Sequence, residues 1–309
     1  MIKKLFLGFI ILFSFLSSNI YSFENKIILK VDNEIITSID ILDEANYIKA
    51  MNENFQNLDQ NELWKISLKS ITKEKIKKIE LLNNLEKIEI DDNNFDKIIA
   101  SIYQRFGFNN LKDFKSHLNS FNVNYDTFKK KVSIETLWNE LIYSKFYNKI
   151  NIDKEKLKKE ISKNDTKKIK SFLLSEIVFD TSDNQTIDTK YELIKMEINE
   201  KNFKKAALTY SISDTANSGG NLGWVNEDVI SEKLKNEIID LKIGEFSKPI
   251  IIPGGALILK IENIKEVNNE INLEKKLNEL VRYSTNEQLN QFSNIYFNKV
   301  KKNIKINEL

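Results

Sequence analysis

The residue inventory closes two kinds of chemistry to this chain. It contains no cysteine and one histidine, His117. Thiol nucleophiles, disulfides and the Cys/His ligand sets of zinc sites are therefore excluded, and no metal or other cofactor is expected. His117 falls in a predicted helix and reads as a partly exposed surface residue. The unusual residues gather elsewhere: positions 169–265 hold six of the eight glycines and both prolines. Glycine and proline supply backbone angles and hydrogen-bond gaps that other residues resist, so this island marks a turn-rich domain inside a helical protein.

The island's elements can be read in order. "IKSFLLSEIVFD" (169–180) has the aliphatic and aromatic content of a strand. The next stretch has helical periodicity with a break near Asn202. Gly219, Gly220 and Gly223 permit a tight turn that brings Leu222 and Trp224 into place. Ser231 is positioned to cap a helix running to Leu241, with Gly244 as its left-handed stop. Pro249 and Pro253 frame a short strand, and Gly254-Gly255 turns into the closing strand "ALILKIENI".

The rest of the chain must carry this domain. From Phe23 to about Asp165 the text is helical, opened by a hairpin in "KIILKVDNEIIT" around Asp32-Asn33. Thr37 with Asp40, and Asp59 with Glu62, have the spacing of capping boxes. The first opens a helix through about Met51, and the second opens one through the Leu63–Leu82 repeat. Further helices are predicted at 93–106, 111–120, 125–149 and 154–163. Trp64, Tyr103, Phe106, Phe114, Phe121, Phe128 and Trp138 recur at helical spacing and read as core. Lys129–Lys131 reads as a solvated helix face. From about Asn268 to Val300 runs one long amphipathic helix whose apolar stripe has no domain of its own to cover it. It is expected to pack back on the N-terminal helices, which makes the island an insertion.

Composition bounds the partners. The chain has 309 residues, 41% of them hydrophobic, enough for two domains with real cores. Forty-seven basic and 45 acidic residues leave a net charge of +2, which argues against nucleic acid as a partner. Lys3 and Lys4 precede an apolar run from Leu5 to Leu16 and a Ser-containing stretch ending at Ser22, the plan of a secretory signal peptide. The alternative is an uncleaved inner-membrane anchor, for which Ser14, Ser17, Ser18 and Asn19 cut the apolar run short. After cleavage no stable membrane insertion is expected.

The island resembles the parvulin family of peptidyl-prolyl isomerases. The likeness rests on "FKKAALTYS", "GGNLGW" (219–224), "LKIGEFSKPI" (241–250) and "LILKI" in that order and spacing. With "VDNEIITSIDI" (31–41) and the flanking helices, the whole chain resembles the SurA-type periplasmic chaperones. The resemblance implies an α+β, mostly helical protein. A signal peptide at 1–22 would precede a helical chaperone domain at 23–167, a parvulin-like domain of small antiparallel sheet and helices at 168–266, and a returning helix at 267–309. It implies periplasmic binding of unfolded outer-membrane or exported polypeptides, with the outer-membrane assembly machinery as a further partner. The alternative is a working isomerase of exported proteins.

The family's polar positions are altered. Active parvulins place one histidine on the first strand and one on the last, with Asp or Cys near the intervening loop. The equivalent positions are Glu176, Leu257 and Ser213, with Asp214 next door. Both histidines are missing, and Lys170 or Lys260 is expected to stabilise Glu176. Leu222, Ile230 and Leu234 match the proline-pocket positions, where they either hold a proline ring or form core. Rotation about a C–N bond requires no proton transfer, so weak activity is compatible with this set.

Overall fold

A computed structural model describes residues 25–52, 55–163, 168–180, 185–268 and 273–308. The segment read as a signal peptide lies outside the described residues. The chain opens with β1 (Ile27–Val31) and β2 (Glu34–Thr37), an antiparallel hairpin whose turn places Asp32 at φ 48°. Then come α1 (Ser38–Met51), α2 (Gln60–Asn84), α3 (Asp92–Arg105), α4 (Leu111–Ser120), α5 (Tyr125–Phe146) and α6 (Lys154–Lys163). Caps set these boundaries. Thr37 and Asp40 form a reciprocal capping box, and Asp59, Asp91, Asn110 and Asn124 each accept backbone N–H groups of the helix they precede.

The inserted domain begins with β3 (Lys168–Phe179) and continues through α7 (Ile187–Glu200), α8 (Phe203–Tyr210) and a 3₁₀ turn (Asp214–Ser218). It closes with β4 (Asn221–Asn226), α9 (Glu232–Ile238), β5 (Ile250–Ile252) and β6 (Gly255–Asn268). The four strands form an antiparallel sheet in the order β4-β3-β6-β5. Alternation along β3 sends Ile177 and Phe179 towards α7 and α8, while Phe172, Leu174 and Val178 pack on the α9 side.

The final helix, α10 (Leu273–Asn303), returns to the helical domain, and β7 (Ile306–Glu308) follows it. Trp138 Nε1–H donates to Ser293 Oγ at 2.9 Å, and Phe146 stacks on Phe292 with centroids 5.0 Å apart. β7 pairs antiparallel with β1, so the two ends of the described chain close one small sheet. The domain between them is thus an insertion into a continuous helical body. No helix among the described residues is long and apolar enough to cross a membrane.

Several expectations change. The hairpin has a third strand, β7, which no sequence signal announced. Residue 268 ends β6 rather than starting the last helix, so that strand runs past 266. α9 stops at Ile238, short of Leu241. Gly244 therefore serves a later turn, at φ 92°, where its N–H donates to the Ile261 carbonyl. Glu62 does not complete a capping box; it pairs with Lys201 and Lys205 of the inserted domain. Trp138, Phe114 and Phe128 are fully buried as expected of core, whereas Phe106 is exposed.

Lys131 is the clearest reversal. It is buried, and its ammonium bridges Glu44 and Glu74 while lying 4.9 Å from the Tyr47 ring centroid. Taking three charges out of water is tolerable only because each has a partner. Lys131→Ala leaves Glu44, itself buried, uncompensated. The expected loss is about 3–5 kcal/mol of unfolding free energy by urea titration, far above the near-zero effect expected of Lys130→Ala.

Candidate functional site

The site is built where the loop after α8 runs back along β3. Ile212 N–H donates to the Val178 carbonyl at 2.7 Å, and Val178 N–H donates to Ser211 Oγ at 3.1 Å. One residue pair further on, Glu176 N–H donates to the Gly220 carbonyl at 2.7 Å. The loop is thereby stitched to the strand at Glu176 and at Val178. Gly220 has no room for a side chain: its φ is 81°, and a Cβ would stand 2.1 Å from the Glu176 carbonyl oxygen.

This stitching brings two hydroxyls to one carboxylate oxygen. Ser213 Oγ donates to Glu176 Oε1 at 2.7 Å and Thr215 Oγ1 donates to the same atom at 2.8 Å. Lys170 and Lys260 do not serve it; Lys260 pairs instead with Glu262 at 2.7 Å. Burial lifts the Glu176 carboxyl above its ordinary value, against the downward pull of the Ser213 and Thr215 hydroxyls. A carboxyl held protonated can donate one hydrogen bond, as an imidazole N–H would. Ionised, it would put a negative charge beside an apolar surface.

That apolar surface belongs to the same side of the sheet. Glu176 lies in register with Leu259, and Val178 with Leu257. Leu257, Ile230 and Leu234 share one buried cluster, each about one-twentieth exposed. Leu222 is not part of it. It sits in the β3–β4 irregularity at the sheet edge, 36% exposed. Three of the four apolar positions named from sequence therefore meet, beside the Glu176–Ser213 pair. His117 is remote from them: its Nε2–H donates to the Ala50 carbonyl at 2.7 Å among Phe108, Phe114 and Phe121. Among the described residues no cluster of three or more His, Asp or Glu side chains could hold a metal ion.

Sequence reading missed the partners supplied from outside the domain. Along one face of α2, Lys69 Nζ donates to the carbonyls of Thr209 and Ser211 at 2.5 and 3.1 Å. Lys73 Nζ reaches the Ile212 carbonyl at 3.1 Å and Asp214 at 2.8 Å, and Lys77 reaches Asp214 at 3.1 Å. Beside this ladder Leu208 enters an apolar cluster with Phe55, Leu63 and Ile66 of the helical domain. Spacing of three lysines four residues apart announces one helix face, but nothing in it announces loop carbonyls as the target. Thr215 was equally invisible as a Glu176 donor.

Comparison with known proteins agrees with this architecture. Residues 168–263 match the family Rotamase: PPIC-type PPIASE domain. The inserted domain is a PPIC-type domain. The chain is also similar to the chaperone SurA of Pectobacterium atrosepticum, 24% identical over 81% of this chain and 60% of that one. It covers 44% of the chaperone SurA of Pseudomonas aeruginosa, at 23% identity. The chain thus spans about half the length of these curated relatives. Among solved structures it resembles one of the SurA-like chaperones of Campylobacter jejuni, PEB4 and Cj1289, with 21% identity, TM-score 0.38 and coverage of 92% and 99% of the two chains.

The raised Glu176 pKa has a sign that can be checked. The folded state holds this proton more tightly than the unfolded chain, whose ordinary value is 4.5. The associated stability is fully present below that value and is lost as pH rises through the folded pKa. Glu176→Gln keeps an acceptor for both hydroxyls and removes the titration. Urea midpoints of variant and wild type should lie closest below pH 4.5 and separate in the variant's favour as pH rises; a constant gap would contradict this. Gly220→Ala should cost at least about 2 kcal/mol in the same assay, through its positive φ and the clash with β3.

Proposed function

We propose that this protein is a periplasmic chaperone that binds unfolded outer-membrane polypeptides, with a PPIC-type domain of weak or absent isomerase activity. The observation that carries the second half is the Glu176–Ser213–Thr215 cluster. Where the family's histidine network belongs, a half-buried carboxyl is occupied by two hydroxyls of its own loop. Nothing there resembles an imidazole pair, and Leu257 on the last strand offers no polar atom. The apolar positions Ile230, Leu234 and Leu257 form the buried floor of this face, with Leu222 at its edge.

The chaperone half is supported by likeness to SurA proteins and by a plan in which a long returning helix ties the inserted domain to a helical body. Unfolded outer-membrane chains alternate apolar and polar residues with aromatic girdles. Extended segments of that kind suit a broad amphipathic surface and need no deep pocket. Export by an N-terminal signal segment and contact with the outer-membrane assembly machinery belong to the same reading.

Two assays on the full mature chain test it. At micromolar protein, NMR exchange spectroscopy of an Ala-Phe-Pro peptide should show no cis/trans rate above the uncatalysed tens of seconds. In parallel the protein should suppress aggregation of a urea-unfolded outer-membrane β-barrel on dilution. Acceleration of exchange that Leu234→Ala abolishes would instead make it an isomerase. Failure to hold the unfolded barrel would remove the chaperone assignment.

A further inference from the structure

The C-terminal helix does more than return to the helical domain. Lys276 Nζ lies 2.6 Å from Asp228 Oδ2, in the segment between β4 and α9. Tyr283 packs on the cluster that contains Ile230, Leu234 and Leu257. Burial raises the Tyr283 hydroxyl pKa, and the charges of Glu287 and Glu176 add to the shift; Glu287 is raised by burial and by Glu176. Ile295 closes on the β5–β6 turn, where a Cβ on Gly254 would come within 2.9 Å of its Cγ1.

These contacts fall in order along the sheet. Between Lys276 and Ile295 the helix rises about 28 Å at about 1.5 Å per residue. Between Ser171, paired with Asn226 near Asp228, and Phe179, paired with Ala256 beside the β5–β6 turn, β3 rises about 26 Å at about 3.3 Å per residue. α10 therefore spans the length of the domain, and its Tyr283 turn reaches the side that carries Glu176, Ile230 and Leu234. That is the side a peptide must approach.

We infer that α10 is a built-in cover of the PPIC-type domain's peptide face, with its Tyr283–Glu287 turn standing where a proline-containing segment would lie. This rests on the reading of that face as a peptide site. A prolyl peptide gains the face only when the Tyr283 turn of α10 draws back from it, so its apparent affinity is set by the fraction of molecules that are open. The closure is built to be reversible. Asp228 Oδ1 is buried with no hydrogen-bond partner, which weakens the Lys276 clasp. The charge of Glu176 raises the Glu287 carboxyl across the same boundary. An aromatic residue as the plug also states the preference of the face, which should favour segments with an aromatic side chain next to proline.

The absence of cysteine allows a clean test on the full chain. Asp228→Cys/Lys276→Cys, joined by a short bismaleimide, fixes the cover shut. Lys276→Ala and Tyr283→Ala each loosen it, the first without touching the core. Binding of a fluorescein-labelled Ala-Phe-Pro-Phe peptide is measured by anisotropy for each form. The loosened variants should bind about tenfold or more tightly than wild type, and the cross-linked form should not bind. Equal affinity across all four forms, or no binding by any, would overturn the inference. Suppression of barrel aggregation, measured alongside, reports the chaperone reading separately. Its loss with the peptide pattern intact would sink that reading and leave the cover standing.

Discussion

One stripe of α2 joins the two halves of this molecule. Glu62, Lys69, Lys73 and Lys77 lie along it, and each finds its counterpart on the inserted domain: two lysines, a run of loop carbonyls and Asp214. A helix cannot shift one of these contacts without shifting the others, because a common backbone sets their spacing. Lys77, which also pairs with Glu135 at 2.5 Å, is itself buried. The same carbonyls flank Ser213. The loop that carries the site's hydroxyls is therefore held from outside its own domain, and the geometry around Glu176 depends on a helix more than a hundred residues earlier.

The chemistry of the altered site follows from that support. A carboxyl on the central strand of a small sheet is costly unless its lone pairs are met. Ser213 and Thr215 meet them because the loop is pinned on one side by β3 and on the other by the lysine ladder. The result is a polar island beside an apolar surface, without a titrating imidazole.

Much of the fold was legible in the chain. Apolar spacing, with polar caps at the first two, placed every helix of the N-terminal body to within a few residues, since capping groups must sit next to the N–H groups they satisfy. Glycines 219, 220, 223 and 254 marked the turns of the insert, where positive φ disfavours most other residues. The order of its elements followed from motif spacing, whereas the meeting of Leu257 with Ile230 and Leu234 came from the fold. Less visible was anything that depends on charge in three dimensions. Lys131 sits in a run of three lysines, and only the fold reveals that it faces Glu44 and Glu74 while Lys130 is exposed and Lys129 lies over the Phe95 ring.

By itself, then, the sequence determined the secondary elements, the insertion of a turn-rich α+β domain into a helical body, and the loss of both histidines. These are local properties, written in periodicity, glycine placement and residue type. Tertiary structure alone decided which hydroxyls serve Glu176, which lysines grip the loop, and that Tyr283 of α10 packs on the Ile230–Leu234 cluster. Those outcomes bring together residues separated by 37 to more than a hundred positions. Pairing at that range is selected by the packing of whole elements, and no local pattern encodes it.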